Sequence, residues 1–295
     1  MLIGVSSYSY AGLVNKGEIR EDEIPALAKE MGFDILEFAG LNGHDGQDIH
    51  EYARHIRERV EAAGLQMGTY AIGADLLLGS GGEMKKEVER LKGEVDVAAT
   101  LGAKLMRHDV ARGIPAQDRQ GRGFYEVAPQ IAEGIREVTE YAGEKGIRTM
   151  TENHGFFSQD SERIEHLVNL TGSDNFGVLF DMGNFLCVDE DPQAAASRLA
   201  PYTFHVHAKD FLFKSGDGLK PEGGFFSTRS GNFIRGTAIG HGVVPVTGVL
   251  RALAFAGYKG DISIEFEGLE DPKQAITFGK QYLEKCLKEV GFVTG

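Results

Sequence analysis

A single (β/α)8 TIM barrel is the fold class that this 295-residue chain predicts, and three observations predict it. A glycine mark recurs in MGF, AGL, LGA, KGI and AGY, at Gly32, Gly64, Gly102, Gly146 and Gly257, each after an amphipathic, charge-rich stretch and before a short apolar run. Glycine accepts the left-handed conformation that stops a helix, so each mark reads as helix, stop, strand. Eight strand-then-helix units fill the chain, and no glycine-rich phosphate fingerprint follows the first strand, which disfavours an open doubly wound sheet.

The strands are short runs rich in β-branched and aromatic residues, and the helices are longer runs with apolar residues at helical spacing. In order, LIGVSSYS is followed by a helix over Asp22 to Glu30, DILEFAG by Ile49 to Ala62, QMGTYAI by Glu83 to Ala99, and AKLMRHD by Tyr125 to Ala142. IRTMTEN is followed by Ser161 to Thr171, FGVLFDM by Asp191 to Ala200, TFHVHAKD by Val246 to Ala256, and DISIEFE by Asp271 to Val290. The expected domain is single and runs from 1 to 295. The glycine-rich segment from Lys214 to Gly242 is too long for an ordinary connection and reads as a lid or binding loop.

Hydrophobic residues at 42% and charged residues at 25% fit an ordinary globular protein that folds throughout. A formal charge of −13 repels nucleic acid and anionic membranes, so neither is an expected partner. Cys187 and Cys286 stand far apart, and MLIGVSSYSY lacks the basic start and apolar run of a signal peptide. With no apolar stretch approaching the roughly 20 residues of a membrane span, the expectation is a soluble cytoplasmic protein without disulfides.

In such a barrel the chemistry sits at the C-terminal ends of the strands. Strand five ends TENHG, with Glu152 and His154; strand six ends FDMGN, with Asp181 and Asn184. Strand seven ends HVHAKD, with His205, His207, Lys209 and Asp210, and strand eight ends SIEFEG, with Glu265 and Glu267. One strand-end carboxylate is ordinarily a helix cap, but four consecutive strands ending in ionisable groups need a common compensation, which a divalent cation supplies. Three carboxylates and one imidazole suit Mn2+, Mg2+ or Co2+, with Zn2+ possible. Strand alternation puts His205 and His207 on one face with only His207 at the rim, so His207 is the expected ligand and His205 a hydrogen-bonding support. Spacing leaves Glu265 and Glu267 as alternatives.

At these residues the sequence resembles the xylose isomerase-like barrel superfamily of sugar phosphate isomerases and epimerases, which includes ketose 3-epimerases and inosose dehydratases. The resemblance spans the whole chain and rests on the order of TENHG, FDMGN, HVHAK and GYKGDISIE, with support from GVSSYS and LGAKLMR. It implies one divalent metal, Mn2+ first, held by Glu152, Asp181, His207 and Glu265, and it selects Glu265 through the preceding GY-x-G element. It further implies that Glu152 and Glu265 form the acid/base pair. Against the ketose 3-epimerase pattern the chain departs at Asn184, Phe213 and Ser158, where that pattern has histidine, arginine and glutamate.

The expected function is therefore a metal-dependent sugar isomerase or epimerase that moves a proton at carbon next to a carbonyl through a metal-held enediolate, with two glutamates as acid and base. The alternative is a metal-dependent dehydratase of a keto-inositol or related keto-sugar; further readings are an apurinic endonuclease-like hydrolase and a non-catalytic sugar-binding subunit. Expected substrate contacts are His108, His154, Asn184, Lys209, Arg229 and Arg235, the last two binding a carboxylate or phosphate if they face the pocket. The expected partner is a small sugar or polyol, with a homo-oligomer possible.

Overall fold

Short apolar runs alternating with amphipathic helices pair their strands in parallel, and here eight of them close a ring. The strands are β1 (Ile3–Ser6), β2 (Ile35–Ala39), β3 (Gln66–Ile72), β4 (Leu105–His108), β5 (Arg148–Glu152), β6 (Phe176–Asp181) and β7 (Thr203–Ala208). Outside the ring follow β8 (Asp210–Lys214), β9 (Phe226–Ser227) and β10 (Phe233–Thr237), and the eighth barrel strand is β11 (Ile262–Ile264). The order is β1-β11-β7-β6-β5-β4-β3-β2, closed and parallel throughout. The computed structural model describes residues 1–114 and 118–293; residues 115–117 and 294–295 of the expected domain lie outside the described residues.

Helices pack around the ring: α1 (Ala11–Asn15), α2 (Ile24–Glu30), α3 (Ile49–Ala62), α4 (Met84–Leu101), α5 (Phe124–Glu144), α6 (Ser161–Thr171), α7 (Pro192–Leu199), α8 (Val246–Phe255) and α9 (Pro272–Val290). The short α1 was not expected from the sequence. Asp191 and Asp271, read as first helical residues, are N-caps instead, taking the backbone N–H of Ala194 and Gln274 and relieving unpaired donors at the helix start. The five glycine marks all adopt φ between 68° and 89°, the region where a Cβ would be strained, so each stops its helix as expected.

Outward-facing Leu36, Phe38 and Phe180 pack under the helices and are fully buried. The inside of the ring differs from the branched apolar filling usual in this fold. Glu37, His205, His207 and Ser263 project into it and are almost fully buried. β2 and β7 are separated in the ring by β1 and β11, so Glu37 meets the histidines across the interior.

The segment from Lys214 to Gly242 is not an irregular loop. Together with the residues just before it, it forms an antiparallel sheet in the order β8-β10-β9, with Phe211 opposite Gly236 and Phe213 opposite Ile234. Phe211, Ile234 and Cys187 make a small core of their own beneath this sheet. Asp210 fastens it: the buried carboxylate accepts the backbone N–H of Phe211, Gly240, Gly242 and Val244. Cys187 and Cys286 are both free and buried, and among the described residues no helix is long and apolar enough to cross a membrane.

Asp210→Ala should leave those four donors without an acceptor and cost about 3 kcal/mol, read as a lower urea midpoint. Proteolysis should then begin between residues 214 and 242; first cleavage elsewhere would mean that Asp210 does not hold the sheet.

Candidate metal centre

The C-terminal ends of β5, β6, β7 and β11 converge. Glu152, Asp181, His207 and Glu265 each offer one ligand atom, and these atoms all lie within 4.8 Å of one another. Local structure fixes each side chain. Glu152 Oε1 accepts from Asn184 Nδ2 at 2.9 Å, and its Oε2 pairs with Arg107 Nη2 at 2.6 Å. Asp181 Oδ1 accepts the N–H of Gly183 and Asn184, both at 2.8 Å, which leaves Oδ2 directed at the cluster. His207 Nε2 lies 2.8 Å from Glu37 Oε2, which turns Nδ1 toward Glu265 Oε1 at 3.5 Å.

Lys209, fully enclosed, brings its ammonium to the same place. Nζ lies 2.6 Å from Glu265, 3.1 Å from Glu267, 3.3 Å from Asp181 and 3.3 Å from the Asn184 side-chain oxygen. Burial alone would lower the Lys209 pKa, but Asp181, Glu265 and Glu267 override it and hold the amine well above its ordinary value. Burial would raise the Glu265 pKa, and here Lys209 and His207 reverse it, so that carboxyl is held well below the usual range. Asp181 goes the other way: burial pushes it up to about 6, with Lys209 opposing the rise and Glu152 and Glu265 adding to it.

Three features of this arrangement fit a bound divalent cation. Asp181 Oδ2 and His207 Nδ1 are buried without a hydrogen-bond partner among the described residues, and both belong to the cluster. The carboxylates of Glu152, Asp181, Glu265 and Glu267 face the ammonium of Lys209 and the guanidinium of Arg107, which Asp109 also shares, so negative charge is in excess. The donors are oxygen-rich with one imidazole nitrogen, which suits a hard or borderline divalent ion.

Glu152 and Glu265 of the cluster, with Lys209 and Glu267, form one wall of a cavity of about 730 Å3 that extends over the β1 to β4 side of the ring, lined there by Tyr8, His44, Tyr70, Arg90 and Glu94. Of the expected substrate contacts, His154 and Lys209 line it, and Asn184 lies behind Glu152. His108 does not line it. Arg107 pairs in register with inward-facing Met150, so alternation turns His108 outward, where it stacks on Phe176 with Nδ1 against the Asp109 carbonyl at 2.8 Å. Arg229 is committed to Asp160 at 3.0 Å and to the Phe156 carbonyl, and Arg235 to Glu270 at 3.4 Å and the face of Phe225. Neither arginine lines the cavity, nor does any residue from 214 to 242, so the lid reading of that segment gives way to a sheet packed beside the site.

Arg107 is the contact that the sequence reading missed. It joins Glu152 to Asp109, at 2.6 and 2.8 Å, and His154 Nδ1 completes the chain at 3.0 Å from the same Asp109 oxygen. Taking Met106 as the helix-facing apolar residue would have put Arg107 inside. Glu37 was missed too, although a carboxylate in the middle of DILEFAG is a signal in itself, since a buried strand tolerates one only with partners.

The sequence pattern of the xylose isomerase-like TIM barrel family matches residues 25–286, and the chain belongs to that family. An inosose dehydratase from Clostridium beijerinckii is 25% identical over 290 residues, covering 93% of this chain and 94% of that protein. The structure of D-psicose 3-epimerase with D-tagatose from Clostridium cellulolyticum H10 superposes with a TM-score of 0.73 at 14% identity, covering 97% of this chain and 99% of the other. A xylose isomerase-like barrel protein from Mycobacterium smegmatis in complex with magnesium gives 0.66 at 15%, covering 91% and 88%. At these identities the two structures establish the fold.

Because Lys209 and a cation would share the same carboxylates, Lys209→Met should destabilise the metal-stripped protein by about 3 kcal/mol. Added Mn2+ should then raise Tm more in the variant than in the wild type. Equal rises in the two proteins would separate Lys209 from the metal centre.

Proposed function

We propose that the chain is a metal-dependent dehydratase, a lyase that removes water from a keto-inositol or a related keto-sugar. The observation that carries this reading is the convergence of Glu152, Asp181, His207 and Glu265 around two buried atoms that have no hydrogen-bond partner among the described residues, in a chain similar along nearly all its length to an inosose dehydratase. The four residues would hold one divalent ion, Mn2+ or Mg2+ being favoured by the predominance of oxygen donors. Such an ion draws electron density from substrate oxygens and so acidifies the neighbouring C–H.

The chain's own groups do the rest. Glu265, held ionised by Lys209, is the base for the proton next to the carbonyl. Lys209, locked as an ammonium, faces the oxyanion that develops as that proton leaves. Glu152 is fixed by Arg107 and Asn184 and stands as the second proton-transfer group, beside the departing hydroxyl. The proton from carbon and the departing hydroxyl together make the water, so no co-reactant is needed. The substrate is a small polyol rather than a nucleic acid, in keeping with the cavity's size and the charge of −13.

An isomerase or epimerase is the second reading, because both glutamates of an acid/base pair are present in the cluster and the first proton abstraction is common to all three reactions. The departures from the ketose 3-epimerase pattern weigh against it: Asn184 is bound to Glu152, Ser158 is buried near the Ala111 carbonyl, and Phe213 sits on β8 away from the cavity.

Metal-stripped protein reloaded with Mn2+ and given a keto-inositol in D2O should produce an absorbing enone; a stereoisomer with deuterium at one carbon would favour the epimerase reading instead. Glu152→Gln and Glu265→Gln should fold normally and lower turnover by about 10²- to 10⁴-fold. Arg229→Ala and Arg235→Ala should stay within about twofold of wild type, as expected of half-exposed ion pairs.

A further inference from the structure

The structure assigns Glu37 on β2 as the positioning residue of the candidate metal centre: it accepts the Nε2–H of His207 and so presents Nδ1 as a bare donor to the cluster. The inference rests on the metal reading above but not on the identity of the reaction.

Glu37 reaches three donors from two other strands. His207 Nε2 is 2.8 Å from Oε2, while Oε1 takes both Ser263 Oγ and His205 Nε2, and the two latter atoms are themselves 3.2 Å apart. An ionised carboxylate only accepts, so the hydrogen between Glu37 and His207 belongs to Nε2. With an ion at the cluster the imidazole would be neutral, and with Nε2 protonated its lone pair would lie on Nδ1, the buried atom that has no hydrogen-bond partner among the described residues and that faces Glu265. A carboxylate behind a ligating imidazole fixes its tautomer and ring plane and makes it a better donor.

Two glycines make room for this network. A Cβ on Gly68 of β3 would meet Glu37 Cγ at 2.7 Å, and one on Gly4 of β1 would meet Ser263 Oγ at 2.5 Å. These strands flank β2 and β11, so the ring leaves out side chains just where Glu37 and Ser263 must cross its interior. A second cation among Glu37, His205 and His207 is the competing reading, since these three also bring donor atoms together. The 2.8 Å contact between Glu37 and His207 is a hydrogen-bond length, which favours a shared proton over a shared metal.

The test measures Mn2+ affinity by competition with a chelator, the absorption spectrum of the Co2+-loaded protein, and the His207 tautomer by 15N NMR. Wild type should bind one ion per chain at the cluster, with His207 protonated at Nε2. Glu37→Gln should lose affinity by about 10- to 100-fold, shift the Co2+ bands and mix the tautomers while its circular dichroism is unchanged. Ser263→Ala, a milder change that keeps Glu37, should give a smaller loss in the same direction if Glu37→Gln fails to fold. Affinity within about twofold of wild type in both variants, at a tenfold range set by 1.4 kcal/mol, would overturn the assignment. So would two ions per chain in the wild type falling to one in Glu37→Gln, which would make Glu37 a ligand. Neither readout requires turnover, so a wrong substrate would leave the result intact.

Discussion

The rest of the structure depends on a concentration of negative charge enclosed by a ring of strands. Glu152, Asp181, Glu265 and Glu267 approach from β5, β6 and the end of β11, and three of them meet within reach of one imidazole. Like charges brought together away from water repel strongly, because the interior screens them far less than solvent does. Burial raises the Asp181 carboxyl and the neighbouring Glu152 and Glu265 add to the rise, whereas Lys209 foremost holds the Glu265 carboxyl down. Lys209 and Arg107, the latter shared with Asp109, do not balance these carboxylates, and the excess of negative charge suits a bound cation.

Positioning in this site is layered outward from the cluster. Arg107 and Asn184 hold Glu152, two backbone N–H groups hold Asp181, and Glu37 holds His207. Arg107 in turn is held by Asp109, which also takes His154. A side chain fixed by hydrogen bonds on both sides has little rotamer freedom to lose when a substrate or an ion arrives, which is how rigid strands convert sequence spacing into reactive geometry.

Much of this was legible in the sequence, and what was not has physical reasons. Glycine stops at Gly32, Gly64, Gly102, Gly146 and Gly257 marked the alternation of helix and strand because helix termination is a local event. The converging residues were visible because strand ends are where this fold places its chemistry, whatever packs elsewhere. At β4 a one-residue error in parity exchanges Arg107 for His108; apolar Met106 hints at the right parity, and pairing with β5 fixes it. Arg229 and Arg235 are expected at the cavity because they lie on the long segment taken for a lid or binding loop, whereas long side chains on an acidic chain find nearer carboxylates, here Asp160 and Glu270. The β8-β10-β9 sheet was hidden by its composition: glycines at 216, 218, 223, 224 and 231 read as loop, and the pairing of Phe213 with Ile234 is a long-range contact.

The polar interior also bears on how the ring stays folded. In this architecture the centre of the barrel is usually a second apolar core, and replacing it with Glu37, two histidines and a serine forfeits part of that burial. The remaining apolar weight lies between strands and helices, where Leu36, Phe38, Leu91, Ile135 and Phe180 are fully enclosed. Stability and chemistry are thereby assigned to opposite faces of the same strands, the outer face by apolar contact and the inner by paired charge. A buried charge network contributes less to stability than well-packed hydrophobic groups of the same volume would. Its place inside this ring is in keeping with the proposed role in binding and proton transfer.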